Sequence, residues 1–334
     1  MRLWMILLAL LSCMASACSP QAGSTDTQVK AEHSGESLIQ IRIPDTPFMG
    51  LLPIYVAEEK GMFEANGLAV RWIDVRDPGQ GAKLMAAGKA DFILSTFANL
   101  MPMEARQPGT LRFLFPTSET RSDPGSYILV RPDSPITSLV DLRGHSVGTY
   151  SGPSQKAYAL IVLERLGYRV PEDVQLTQVS TSAQVQGLFG GAFDALFTVE
   201  PYGSIALENG ARAIATGVRT AIISDPFWLG AGAIPTKVAD AQPALVAKLL
   251  RALDDAVRYI ESHDAEARAV LARRIGTDAA VAERSALYQW VAYPDARQLE
   301  QIQAAVDLLH SEELIEAPVA VRSVFAGIGS QRSR

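Results

Sequence analysis

Segments with the two-residue period of a β-strand alternate in this chain with segments at α-helical spacing, and the alternation runs twice. Leu38–Ile43 (LIQIRI) places Ile39, Ile41 and Ile43 on one face. A turn-like Pro44–Pro47 follows, then a helix over Leu51–Lys60 closed by Gly61, and strand spacing returns in Val70–Val75. Gln80–Ala87 repeats the helix, Gly88 stops it, and Asp91–Ser95 is an apolar run of strand length. After Tyr127–Val130 the second series runs through Ser146–Tyr150, a helix Gln155–Leu166 ended by Gly167, Leu176–Val179, a helix Ala183–Phe189 and Ala195–Val199. Helices that carry the chain back between strands make those strands parallel and cover both sheet faces. The expected class is therefore α/β: two tandem modules, each a mainly parallel sheet flanked by helices.

From Gln242 onward the strand signal disappears. Pro243 suits a first helical residue, and Leu245, Leu249, Leu253, Val257 and Ile260 then recur at helical spacing, as do Leu299, Ile302, Val306 and Leu309. The last third is expected to be helical packing material. With 334 residues, 48% hydrophobic and 20% charged, the chain can fill two apolar cores. Its formal charge is −6 with acidic residues spread throughout, which excludes a nucleic-acid footprint. Both cysteines, Cys13 and Cys18, precede the body, so no disulfide, thiolate metal site or cysteine nucleophile is expected there. The four histidines, His33, His145, His263 and His310, never fall three or four apart, and no metal is expected.

Met1–Leu11 (MRLWMILLALL) has one basic residue before an apolar run too short to span a bilayer, the pattern of an export signal. Ala15-Ser16-Ala17-Cys18 resembles a bacterial lipobox, which implies a signal peptide over residues 1–17 and a lipid on Cys18; Leu10-Leu11-Ser12-Cys13 is a competing match. Ser19–Glu36 has almost no large apolar groups and cannot bury enough surface to order itself, so residues 18–37 read as a tether.

Pro53–Val70 (PIYVAEEKGMFEANGLAV) and Leu84–Ser95 (LMAAGKADFILS) resemble the solute-binding proteins of ABC importers, in the group for nitrate, sulfonates, taurine and thiamine-pyrimidine precursors. Met62 stands where that pattern has an aromatic residue, and the similarity continues through Leu139–Gly148, Asp194–Ala206 and Pro243–Tyr259. The resemblance implies a two-lobed periplasmic-binding-protein fold of type II, joined by crossovers near Tyr127–Val130 and Gly230–Ile234. Residues 38–128 with 231–334 would form the first lobe and 129–230 the second. It also implies a monomeric, lipid-anchored protein in the periplasm or on the outer face of the cytoplasmic membrane. Such a protein has no cofactor; its partners are a small solute, a permease and that permease's ATPase.

In open α/β sheets, strand carboxyl ends and helix amino ends face one crevice, where free backbone N–H groups favour anions. The candidate ligand contacts are Thr46, Gln80, Ser95, Thr96, Asn99, Ser151 and Ser154 as donors or acceptors, with Phe48, Phe97, Tyr150, Tyr202 and Trp228 as flat walls. Arg76 is the nearest cation. Small neutral donors suit a sulfonate-like anion, and aromatic walls suit a heteroaromatic ring; both ligand types fit. Glu200 would repel a bare oxyanion and favour an amine or ring N–H, unless it serves the fold. Any one of the Ser or Thr positions could equally cap its helix.

Gly144-His145-Ser146-Val147-Gly148 matches G-x-S-x-G, but here the strand follows the serine instead of preceding it, which argues against a hydrolase elbow. Gly79-Gln80-Gly81 and Gly230-Ala231-Gly232 complete no phosphate loop, and Gly232 near a crossover could absorb hinge rotation. The same resemblance brings two alternatives. One is a thiamine-pyrimidine-synthase-like enzyme, which needs a reactive lysine and histidine in the cleft and a cysteine cluster. The other is a ligand-sensing partner of a membrane receptor.

Overall fold

A computed structural model describes residues 37–45, 48–75 and 78–325. The expected signal segment with Cys13, the expected tether from Cys18 to residue 36, and the positions Thr46 and Arg76 lie outside the described residues. The strands in chain order are β1 (Ile39–Asp45), β2 (Leu68–Asp74), β3 (Ile93–Thr96), β4 (Leu111–Glu119), β5 (Ser126–Val130), β6 (Ser146–Tyr150), β7 (Gln175–Val179), β8 (Ala195–Val199), β9 (Arg212–Thr216), β10 (Phe227–Pro235) and β11 (Gln289–Trp290). They form a β1-β2 pair, a four-stranded sheet in the order β11-β4-β10-β3, and a five-stranded sheet in the order β7-β6-β8-β5-β9. The Asp91 and Phe92 N–H groups both donate to the Arg42 carbonyl, at 2.9 and 3.3 Å, so the β1-β2 pair borders the start of β3.

The α/β class holds, and the sheets are mixed where mainly parallel ones were expected. The β1-β2, β6-β7 and β6-β8 pairs are parallel, but β10 is antiparallel to β3 and β4, and β5 is antiparallel to β8 and β9. Both reversed strands are those by which the chain changes sheets: residues 120–125 lead from β4 into β5, and 217–226 lead from β9 into β10. The link into β5 holds no helix and the link into β10 only the five-residue helix Val218–Ile222, so neither strand follows the long crossover that a parallel neighbour needs. The expected change-over points at 128/129 and 230/231 fall inside β5 and β10, each of which belongs whole to one sheet.

Local sequence accounts for most of the elements. Gly61 and Gly88, with φ of 69°, end the first helices in the left-handed region that glycine tolerates. Helix Pro243–Ser262 starts on its proline and buries Leu245, Leu249, Leu253 and Ile260, packing against helix Leu52–Glu59. Helix Ala296–Ser311 begins with a reciprocal Asp295–Gln298 capping box, the Gln298 N–H donating to Asp295 Oδ1 at 2.7 Å. The helical last third is interrupted by the two-residue β11, whose Trp290 Nε1 donates to the Gly50 carbonyl at 3.0 Å. No described helix is long and apolar enough to cross a membrane.

Gly230 and Gly232 have a different use from the hinge rotation expected of Gly232. They sit in the middle of β10, where a Cβ on Gly230 would lie 2.0 Å from the Ser95 carbonyl oxygen and one on Gly232 would lie 2.5 Å from the Phe92 ring. Close packing inside the sheet excludes a side chain at either position.

Candidate functional site

Strands from both sheets end at one cavity of about 560 Å³. Phe48 follows β1 and Val75 follows β2, while Ser95 and Thr96 close β3. From the five-stranded sheet, Tyr150 closes β6, Ser180–Ser182 follow β7, Val199 and Glu200 end β8, and Arg219 follows β9. Ser154, Gln155 and Tyr158 come from the first two turns of helix Pro153–Arg165, and Leu229, Ile275 and Tyr288 close the wall. This is the carboxyl-end crevice that α/β topology makes available to ligands.

Of the sequence candidates, the structure brings Phe48, Ser95, Thr96, Tyr150, Ser154, Glu200 and Tyr202 to the cavity. The other described candidates are elsewhere. Phe97 is 1% exposed and packs on Phe113, with ring centroids 6.3 Å apart; it follows a strand end but turns into the core. Trp228 is buried on β10, its Nε1 3.4 Å from Gln301 Oε1. Asn99 is spent on Ser95 Oγ at 3.2 Å, and Ser151 Oγ donates to the Val179 carbonyl at 2.9 Å, tying β6 to β7. Gln80 sits on helix Pro78–Ala86 away from the lining.

Glu200 is buried and already saturated. Its Oε1 accepts from Tyr127 Oη at 2.6 Å, Ser204 Oγ at 2.9 Å and the Ala286 N–H at 3.2 Å, and its Oε2 accepts from the Ser204 N–H at 3.2 Å. Burial nonetheless raises its pKa above the usual carboxylate range, with these donors pulling the other way. Of the two readings left open by sequence, this supports the one in which Glu200 serves the fold.

Arg219 was missed, because an arginine two residues past a glycine gives no periodic signal. It is 1% exposed and lines the cavity, with Nη2 2.7 Å and Nε 2.8 Å from Glu119 Oε2. Nη2 also donates to Tyr288 Oη at 3.3 Å, and the guanidinium lies 5.1 Å from the Phe227 ring centre. Burial works against its charge, but Glu119 and Tyr288 more than offset that and hold it protonated. Glu119 Oε1 in turn accepts from Ser126 Oγ at 2.7 Å and the Gly125 N–H at 3.1 Å. One buried ionic cluster therefore ties the end of β4, the start of β5 and the segment after β9, joining both passages between the sheets.

Two further lining groups carry unspent polar atoms. Gln155 is 1% exposed and its Nε2 has no hydrogen-bond partner; the buried Thr96 Oγ1 has none either. Buried polar atoms are rarely left unpaired, so these two mark where a guest could complete the bonding. Around them stand Tyr150, Tyr158, Tyr202 and Tyr288, all with phenol pKa values raised by burial, that of Tyr158 to about 12. All four are therefore neutral O–H groups at physiological pH.

The G-x-S-x-G segment has no nucleophile geometry. Ser146 Oγ and His145 Nδ1 both meet Asp194 Oδ2, at 2.9 and 3.3 Å, so the carboxylate holds the serine directly and no imidazole activates it. No cluster of potential metal ligands occurs among the described residues.

Known proteins resemble this arrangement. A Bacillus subtilis (strain 168) protein named as an aliphatic sulfonates-binding protein is 26% identical over 251 residues, covering 74% of this chain and 72% of that protein. The alkanesulfonate-binding protein SsuA from Xanthomonas axonopodis pv. citri, solved bound to MOPS, has the same fold with a TM-score of 0.70 at 19% identity, covering 86% of this chain and 98% of that one. The desulfurization enzyme DSZB also shares it, with a TM-score of 0.68 at 19% identity over 86% of this chain and 96% of that one. A family profile described as NMT1/THI5 like matches residues 49–267, well over half of the sequence, and the chain belongs to that family.

Proposed function

We propose that this chain is the extracytoplasmic solute-binding component of an ABC importer and captures a small organic monoanion of the sulfonate class. The observation that carries the reading is the cavity itself: strand ends from both sheets converge on it, and donors from both, Gln155 Nε2 and Thr96 Oγ1, are buried without partners. The electrostatics favour a single negative charge. Arg219 is neutralised by Glu119, so among the described lining residues no unpaired cation stands ready to balance a second negative charge, while a sulfonate spreads one charge over three acceptors. The names carried by the Bacillus and Xanthomonas relatives agree with this class.

In this reading the chain up to β4 together with the chain from β10 onward, and the chain from β5 to β9, are two lobes that close on the solute, hinging at 120–125 and 217–226. Cys18 carries the lipid that holds a monomer at the membrane, and the closed form docks on a permease driven by an ATPase. DSZB shows that the fold can also host catalysis, but among the described residues the lining has no cysteine, histidine or lysine to act as nucleophile or Schiff base. The test is thermal: the purified chain gains melting temperature with its solute, because a ligand bound only to the native state stabilises it. A melting temperature that stays flat across alkyl and aryl sulfonates at millimolar concentration overturns the reading.

A further inference from the structure

Gln155 is the second residue after Pro153, at the amino end of a thirteen-residue helix. Proline has no N–H and the first-turn N–H groups of any helix lack intrahelical acceptors, so this end presents the positive pole of the helix dipole. A side chain with an amide that is 1% exposed and makes no hydrogen bond through Nε2 is a poor choice for packing alone. It lines the same cavity as Thr96, whose hydroxyl is also unpaired and belongs to the other sheet.

The rest of the wall speaks to the body of the guest. Phe48, Tyr150, Tyr158, Tyr202 and Tyr288 supply five rings, and about 560 Å³ is far more than a one- or two-carbon sulfonate fills. Ring faces prefer other rings in offset or edge-on contact, beyond the gain from area alone. Resting on the solute-binding reading above, we propose that Gln155 anchors the acceptor oxygens of the solute's head group and that the ring wall selects a planar aromatic anion, an arenesulfonate, over an alkyl one.

The test is calorimetric titration of the purified chain with benzenesulfonate, cyclohexanesulfonate and ethanesulfonate, in the wild type and in Gln155→Met, which keeps length without the amide. Benzenesulfonate should bind about two- to tenfold more tightly than cyclohexanesulfonate, which shares its head and nearly its size. The Gln155→Met variant should weaken benzenesulfonate on the order of tenfold to a hundredfold. Its unliganded melting temperature should hold or rise, since no protein bond is lost. A structural role would do the opposite, lowering the melting temperature, and that result overturns the anchor, as does unchanged affinity. Equal binding of the aromatic and saturated rings, or tighter binding of ethanesulfonate, overturns the aromatic selectivity while leaving sulfonate binding intact. No binding by any of the three overturns both. Gln155→Leu repeats the comparison should the methionine variant fail to fold.

Discussion

Removing one partner of the Arg219–Glu119 pair should be among the most damaging single changes available in this fold. The Arg219 and Glu119 side chains are 2% and 0% exposed, with a closest approach of 2.7 Å. In Arg219→Met, Glu119 Oε2 loses its cation while Oε1 keeps Ser126 and Gly125, so a carboxylate stays buried with half its bonding gone. Breaking such a pair from one side costs about 3–5 kcal/mol. At roughly 2–4 °C per kcal/mol for a domain of this size class, melting should drop by roughly 6–20 °C. Replacing both residues, Arg219→Met with Glu119→Leu, removes the stranded charge and should recover most of that loss. Urea denaturation of the wild type, both single variants and the double variant closes the cycle. If the singles each cost under about 1 kcal/mol, or the double costs their sum, the cluster does not tie the two passages as argued.

Three further outcomes follow from other contacts. Because burial raises the Glu200 pKa, the native state holds that proton more tightly than the unfolded chain does. The stability of the wild type relative to Glu200→Gln should be greatest below the ordinary value of 4.5 and shrink as pH rises through the elevated one; pH-resolved melting curves check the sign. Asp91 is the opposite case: its pKa is lowered, although burial alone would raise it, because the Arg42 side chain and N–H bond to it. Asp91→Asn should cost about 1 kcal/mol at neutral pH, discounted for partial exposure, and that difference should fade as pH drops below 3.8. Gly148→Ala places a Cβ 2.4 Å from the Phe193 ring in the middle of β6 and should destabilise by about 1–3 kcal/mol in chemical denaturation, without touching a lining residue of the cavity.

The alternation in the sequence was enough for the class and for most elements of the two series, because strand and helix periods are local properties. Helix Phe97–Arg106 escaped notice: it starts directly on a strand end without a capping side chain and contains Pro102. The reversed strands β5 and β10 could not be foreseen as such, since pairing direction depends on which sheet a segment joins and not on its own spacing. The site was half legible. Strand-end loops are readable, and Ser95, Thr96, Tyr150 and Ser154 came from them, but whether a residue there turns outward or inward is a packing outcome, as Phe97 shows. Arg219 and Gln155 needed coordinates, because a buried ion pair and an unpaired amide are three-dimensional facts.

The central claim is that two sheet-bearing halves hinge around a guest, and a distance across the cavity tests it directly. With Cys13→Ser and Cys18→Ser no other thiol remains, so dyes can be placed only at exposed Lys89→Cys in one half and Val140→Cys in the other. Single-molecule energy transfer should show the distance shifting to one shorter population, in proportion to the calorimetric occupancy of benzenesulfonate. Saturating binding with no change in that distance would contradict the hinge.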